Sequence, residues 1–481
     1  MKRKWLALVI SGSLLTGAGS TYVGTKWMEE AHKEPEASQQ PQSKSMQMSS
    51  EDLTKIAQAY DLIKSQYVQK VNENDLVEGA IQGMVSTLKD PYSVYMDKET
   101  ASQFNDSLDS SFQGIGTEIT KKNGKIMIVS PYKNSPAEKA GLRPGDVISK
   151  INGKSTDGLD LYEATTLIRG KKGTAVNLEI IREGSDKRIA VKVKRDDIPL
   201  DTVYSDLKYE NKKPIGYIDI TQFSKNTAED FNKALSKLEK ENMQGLIIDV
   251  RGNPGGLLSS VEAILKQFVP EGKPYFQIEE RNGHKVQYVS HLKKKKSYPI
   301  VVLVDKGSAS ASEILAAALK EADGYPLIGE KTFGKGTVQE AVPMEDGGTI
   351  KLTMFKWLTP DGNWIHHKGI EPTIAVKQPD YFNVHTLNVK KTLSPDMNND
   401  QVKIAQQMLK GLGFVPGRED GYFDLQTENS VKAFQYKKGL KVTGEIDEKT
   451  ATQLEQAILA AMKKEKNDLQ LQVALKYFNK N

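Results

Sequence analysis

A serine, a lysine and a glutamine stand in this chain in settings that suit acyl transfer without a histidine. Ser310 lies in Gly307-Ser308-Ala309-Ser310-Ala311-Ser312-Glu313-Ile314, after the apolar run Ile300 to Val304 and at the head of a helical stretch, Ala311 to Glu321. A serine at such a strand-to-helix turn faces the helix N-terminus, where free N–H groups and the dipole favour negative charge. An acyl-transfer oxyanion would be stabilised there. The plainer account of the same residues is a capping box, Ser310 with Glu313 three positions on. Lys335 sits among small residues in Gly329-Glu330-Lys331-Thr332-Phe333-Gly334-Lys335-Gly336-Thr337-Val338-Gln339. A lysine packed in an apolar strand context loses its water, and desolvation lowers its pKa towards the range of a general base. Here the plainer account is a surface lysine in a glycine-rich turn. A serine hydroxyl needs a base, and no histidine lies near these motifs. His366 and His367 are adjacent, which keeps their rings off one helix or strand face.

Composition narrows the chemistry further. The 481 residues contain no cysteine, which excludes thiol nucleophiles, disulfides, thiolate zinc sites and lipoprotein anchors together. Lys and Arg number 67 against 62 Asp and Glu, a net charge of +5, too small a field to demand nucleic acid. The run Lys293 to Lys296 reads as solvated loop. With 38% hydrophobic and 27% charged residues the chain is neither a polytopic membrane protein nor wholly disordered. Its length predicts two to four domains.

The elements that must position these groups come in blocks. Lys2, Arg3 and Lys4 precede an uncharged stretch, Trp5 to Thr25, closed by Lys26. That order is an export signal. Either Leu6 to Leu15 is a signal-peptide core with Ala18-Gly19-Ser20 at the cleavage site, or the whole stretch anchors the chain in the membrane, for which about 20 residues suffice. Both readings place residues beyond 28 outside the cytoplasm, secreted or held on the outer membrane face. Residues 29–50, rich in Glu, Gln, Ser and Pro, read as a flexible linker. Over 51–96, Leu53, Ile56, Ala57, Tyr60, Ile63 and Tyr67 keep helical spacing, and a second helix runs from Leu76 to Leu88 before Asp90-Pro91. Such a pair either caps the next domain or joins two chains, so a homodimer is one expectation.

Residues 97–195 carry short β-type runs broken by glycine, at Ile126 to Val129, Val147 to Ile151 and Val176 to Ile181. Between them lie a Pro-initiated helix at Ser135 to Leu142 and another at Leu161 to Ile168. With Gly114-Ile115-Gly116-Thr117 and Ala140-Gly141-Leu142-Arg143-Pro144-Gly145-Asp146, this order resembles a PDZ domain. Such a domain adds an extended peptide as a strand and captures its carboxylate on backbone N–H groups. Gly114, Ile115 and Gly116 are the candidate capture loop. Arg169 is a candidate guanidinium beside the groove, or else an exposed helix-terminal arginine. Residues 197–380 alternate strand and helix, the mark of βαβ units and a mostly parallel sheet. In residues 396–460, Val402, Ala405, Leu409 and Leu412 keep helical spacing, Asp420 to Asp424 is a turn, and Val431 and Phe434 lie in a second helix that Gly439 ends. Thr443 to Thr450 opens a third. This order resembles a three-helix peptidoglycan-binding domain, which can serve wall binding or protein contacts. The amphipathic stretch in 461–481 is expected to pack back on the earlier domains. The predicted fold class is therefore multidomain α/β.

Ser310 in its Ser-Ala-Ser-Ala-Ser-Glu setting, Lys335 in Phe-Gly-Lys-Gly-Thr-Val-Gln, and Arg251-Gly252-Asn253-Pro254-Gly255-Gly256 jointly resemble the carboxy-terminal processing proteases, PDZ-containing serine peptidases of the tail-specific family. The resemblance covers about residues 51–380. It implies an endopeptidase acting on protein or peptide C-termini, with Ser310 as nucleophile, Lys335 as general base and Gln339 orienting the lysine. It implies an oxyanion hole from the N–H of Ala311 and that of a glycine, Gly256 preferred over Gly255. No metal or organic cofactor is implied. The wall-binding type of module resembles the Gram-positive branch, some members of which act in sporulation signalling. Two rivals stand against this reading. A catalytically silent PDZ and cell-wall adaptor would not need Ser310, Lys335 and Gln339 together. A P-loop at Gly329 to Lys335 would need Ser or Thr at 336, where Gly336 stands, and a helix to follow.

Overall fold

The structure is a computed structural model. It describes residues 48–479 apart from 110, 123, 133–134, 144, 160, 183–187, 385–386, 388 and 390. The expected export segment and nearly all of the linker lie outside these residues. Among the described residues no helix is long and apolar enough to cross a membrane.

A six-stranded sheet forms the centre, in the order Val203–Glu210, Lys213–Ile220, Gly245–Asp249, Ile300–Val304, Leu327–Gly329, Ile374–Ala375. The first pair is antiparallel and the rest are parallel. Gly245–Asp249 and Ile300–Val304 are buried at every residue, as a parallel strand covered on both faces requires. Leu246, Ile248, Val302 and Val304 face the helices Thr227–Lys240, Leu258–Leu265 and Ala311–Ala317, against Phe231, Leu235, Val261, Ile264 and Leu315. Their neighbours Ile247, Val301 and Leu303 turn the other way, onto Leu471, Ala474, Leu475 and Phe478 of the C-terminal helix Leu469–Tyr477. The expected return of the chain end is therefore the lid of the central sheet.

A second, antiparallel sheet is built on Thr349–Leu358, flanked by Val94–Met96, Thr337–Pro343 and Pro274–Glu279, with Lys285–Val289 outermost. Here the structure corrects two expectations. The segment 51–96 is not wholly helical: after helices Ser50–Gln66 and Glu73–Ser86 it ends in the strand Val94–Met96, with Val94 opposite Lys351. The second helix starts before Leu76 because Asn72 caps it, its side chain accepting the Asn74 N–H. The range 97–195 opens with a helix, Lys98–Leu108, whose Ala101, Phe104 and Leu108 pack with Leu257 and Ala341 of the core and not with the PDZ strands.

The PDZ strands run in the order Thr117–Lys122, Lys125–Pro131, Val147–Ile151, Ala175–Ile181, Arg188–Lys194. They enclose a separate core of Ile126, Ile128, Ile148, Val176, Leu178 and Ile180 under the helices Pro136–Lys139 and Leu161–Ile168. A third core joins the helices Asp400–Gly411, Leu425–Lys437 and Glu448–Met462 through Val402, Leu409, Phe423, Phe434 and Leu454.

Candidate active site

Ser310 ends the turn from the strand Ile300–Val304 and caps the helix Ala311–Ala317 with φ 54° and ψ −114°. A positive φ at a non-glycine residue costs on the order of 1–3 kcal/mol and persists where surroundings impose it. They do so here. The Ser310 N–H donates to Glu313 Oε2 at 3.0 Å, the Glu313 half of the predicted capping box. The same carboxylate reaches much further. Its Oε2 accepts the Lys335 N–H at 2.8 Å, and its Oε1 accepts from Thr332 Oγ1 at 2.6 Å and the Gly334 N–H at 2.7 Å. Glu313 is fully buried, and burial pushes its carboxyl up against the pull of these four donors. One side chain thus fastens the backbones of Ser310 and Lys335 to a single point.

Lys335 lies in the loop before Thr337–Pro343 and not within a strand as expected, yet only 2% of it is exposed. Its carbonyl accepts from Trp357 Nε1 at 2.7 Å and the Gly336 carbonyl from Trp364 Nε1 at 2.7 Å. Its Nζ lies 4.8 Å from the centre of the Tyr92 ring. Burial drives its pKa well below the ordinary lysine range, helped by the charge of Lys351, while Asp90 and Glu313 oppose the shift. Gln339 is 2% exposed on the adjoining strand, its Nε2 donating to Thr337 Oγ1 at 2.9 Å and Thr353 Oγ1 at 3.1 Å. The glycine-rich stretch runs into a strand with no helix after it, which is not the geometry of a phosphate-binding loop.

The loop Arg251 to Gly256 packs on the Ser310 turn. Asn253 joins the two, its carbonyl accepting the Ala309 N–H at 3.0 Å and Ser312 Oγ at 2.9 Å. Donors along the loop are nearly all engaged. Arg251 N–H goes to Asp249 Oδ1, Gly252 N–H to Asp305 Oδ1, Asn253 N–H to the Val250 carbonyl and Gly255 N–H to Asn253 Oδ1, while Pro254 has none. That accounting leaves Gly256 as the loop's donor. Gly255 serves packing instead: a Cβ there would lie 2.8 Å from both the Ala309 carbonyl oxygen and Ser310 Cβ.

Gly114, Ile115, Gly116 and Arg169 also come together, lining a cavity of about 260 Å³ with Ile119, Ile168 and Leu200. The Ile115 carbonyl accepts the Ala137 N–H at 2.8 Å, so the N–H of that same peptide, on Gly116, points the opposite way. The Arg169 guanidinium lies 4.8 Å from the centre of the Phe112 ring. A slot that mixes the apolar side chains of Ile115, Ile119, Ile168 and Leu200 with Thr117, Tyr132, Thr165 and the Arg169 cation suits an extended chain end.

Comparison with known proteins bears on this arrangement. Peptidase family S41 matches residues 214–376, a PDZ domain 127–182, a putative peptidoglycan binding domain 398–454, and the N-terminal domain of the activating protease CtpB 14–100. The chain is 56% identical to the carboxy-terminal processing protease CtpB of Bacillus subtilis over 477 residues, 99% of each chain. It belongs to the carboxy-terminal processing proteases, serine peptidases of family S41. It is also 46% identical to carboxy-terminal processing protease CtpA of Bacillus subtilis, covering 89% of this chain and 90% of that one. A probable CtpA-like serine protease of Staphylococcus aureus is 40% identical, covering 83% of this chain and 80% of the other.

Several groups around the protease's site escaped the sequence. Glu313 was visible only as a helix cap. Asp90, Tyr92, Thr353 and Lys351 gave no signal, because strand pairing between distant segments brings them to Lys335 and Gln339. Lys351 shares its strand phase with Thr349 and Thr353, against Ile350, Leu352 and Met354, so the alternation in sequence points it outward, although it is 1% exposed.

Proposed function

We propose that this carboxy-terminal processing protease cuts with a Ser310/Lys335 dyad, outside the cytoplasm, on chains whose C-termini its PDZ domain holds. The observation that carries this is the joint anchoring of Ser310 and Lys335 by Glu313, with Lys335 stripped of water. A neutral Lys335 takes the Ser310 Oγ proton as the hydroxyl attacks the scissile carbonyl. The oxyanion that forms meets the N–H groups of Ala311, at the helix start, and Gly256. Lys335 returns the proton to the leaving amine, and water then releases the acyl group from Ser310. Gln339 keeps the amine of Lys335 aimed.

The PDZ groove would bind the substrate end as an added strand, with its carboxylate at Gly114 to Gly116, and Arg169 would link that binding to opening of the dyad. Export follows from the basic cap and apolar run at the N-terminus, as signal peptide or outer-face anchor. The C-terminal module contacts peptidoglycan, which retention on purified cell wall would check. The Gram-positive resemblance extends the role to regulatory cutting in sporulation signalling; Ser310→Ala in the source organism should then delay spore formation.

The direct test is proteolysis of casein, an unstructured protein, by residues 26–481, with and without a peptide ending in apolar residues. Wild type should cut, and Ser310→Ala and Lys335→Ala should not. Cutting by all three would move the nucleophile elsewhere. Arg169→Ala should lose the stimulation by peptide, and unchanged stimulation would break the proposed link.

A further inference from the structure

Three rings run in a row from the catalytic base to the surface. Lys335 Nζ lies 4.8 Å from the centre of the half-buried Tyr92 ring. The His366 ring meets Tyr92 edge-on, its centre 6.1 Å away, and stacks on Trp364 at 5.2 Å. Exposure rises outward, from 2% at Lys335, through the half-buried Tyr92 and His366, to 38% at Trp364. One residue fixes the outer two rings. The Gly336 N–H donates to His366 Nδ1 at 3.3 Å, and the Gly336 carbonyl accepts from Trp364 Nε1 at 2.7 Å. The fit leaves no slack, since a Cβ on Gly336 would lie 2.8 Å from the His366 backbone nitrogen and 2.9 Å from Trp364 Nε1. With its polar atom turned inward, Trp364 shows carbon to water. A lone exposed ring would mean little, but this one ends an ordered row that starts at the base.

We propose that Tyr92, His366 and Trp364 form the subsite for the side chain that follows the scissile bond, and that it takes a large apolar one. The inference rests on the dyad reading above. Lys335 gives its proton to the leaving amine, so its Nζ works on the leaving-group side of the scissile carbonyl. The first residue of the leaving chain carries that amine. A surface that begins at Lys335 Nζ and ends in water therefore borders the leaving chain, and not the acyl chain held on Ser310. A large apolar side chain gains by covering these rings, whereas glycine leaves them wet and a carboxylate would lose its water there. The substrate also runs on in this direction to its C-terminus. The row thus reads sequence between the cut and the end that the PDZ domain would hold.

The test digests casein with the activating peptide present and identifies, by mass spectrometry of the fragments, the residue after each cut. The readout is the ratio of cuts before large apolar residues to cuts before glycine or acidic residues, corrected for the composition of casein. It should be on the order of ten or more in wild type and fall to about one in Trp364→Ala. Trp364→Phe keeps a ring but loses the bond to Gly336, so it should keep most of the ratio whatever its overall rate. A ratio of about one in wild type would overturn the proposal. So would an unchanged ratio in Trp364→Ala, because a residue that only braces Gly336 slows every cut alike. Equal loss of the ratio in Trp364→Phe would do the same, since it would trace the preference to the bond and not the ring. Thermal melting checks each fold. If Trp364→Ala melts early, His366→Ala carries the same expectation, and an unchanged ratio there would overturn the proposal. Cutting that survives Ser310→Ala or Lys335→Ala would instead remove the dyad reading beneath it, an outcome read without any Trp364 variant.

Discussion

Lys335 serves as a base only while neutral, and its neighbours set the pH at which that holds. Burial acts first and Lys351 second to expel its proton, while Asp90 and Glu313 act to keep it. The Tyr92 ring and His366, the latter held low by burial and by His367, complete the titratable surroundings. Lys351 is 1% exposed, its Nζ lies 5.0 Å from the centre of the Phe104 ring, and burial lowers its pKa to about 8. As pH falls through that value Lys351 gains charge and repels a second proton from Lys335. Lys351→Met removes the repulsion, so Lys335 holds its proton to higher pH. The acid limb of a kcat–pH profile should move upward; an unmoved or lowered limb would deny Lys351 this part. Ser310 carries a separate signature. At φ 54° glycine relieves strain that alanine retains, less the roughly 0.5–1 kcal/mol glycine costs in the unfolded chain. Both Ser310→Gly and Ser310→Ala should be inactive, with the glycine variant more stable by about 1 kcal/mol in urea unfolding. Ser310 and Lys335 were legible because each sits in a short local motif of unusual composition. Asp90 and Thr353 were not, because nothing in either neighbourhood hints that Val94 pairs with Lys351.

At the scale of elements, the site is three loops held by what lies behind them. Arg251, which opens the glycine loop, pairs with Asp249 at 2.6 Å and with Asp468 at 2.8 Å, the residue that caps the C-terminal helix. The end of the chain, beyond the three-helix module, therefore braces the loop that holds Gly256. Phe478, just past that helix, packs so closely on Gly245 that a Cβ there would lie 2.5 Å from its ring. Phe478→Ala should cost about 3–5 kcal/mol in urea unfolding. A cost under about 1 kcal/mol would mean that the helix is not needed to cover the sheet. This lid was legible as an amphipathic run whose partner face was implied by apolar strands such as Leu246 to Ile248 and Ile300 to Val304. The short strand at Val94 was not, since three residues carry too little periodicity to distinguish strand from turn. The helix Lys98–Leu108 was missed for a similar reason: its apolar residues meet Leu257 and Ala341, which sequence order does not announce.

At the scale of the whole molecule, the helices Ser50–Gln66 and Glu73–Ser86 contain no buried residue. Leu53, Ile56, Leu62, Ile63, Val77 and Met84 are all exposed. Tyr60 donates to Glu73 at 3.0 Å and Lys64 pairs with Glu73 at 2.8 Å, both at the surface, where water and salt weaken such contacts. Helices of 17 and 14 residues gain their stability from a packed apolar face. An exposed stripe on each therefore calls for a surface to cover it. The homodimer expected from the same residues in sequence would supply one, each hairpin meeting its copy along the row Leu53, Ile56 and Ile63. Sedimentation of residues 26–481 at micromolar concentration should then give twice the mass of one chain, and Ile56→Glu with Ile63→Glu should give a single mass. Because the second helix leads within a few residues to Asp90, unpairing the hairpins should also slow cutting while leaving the melting of the central sheet unchanged. A wild type that sediments as one chain would leave the stripe to another partner, and full activity in the monomeric variant would separate the hairpins from the Asp90 turn they precede.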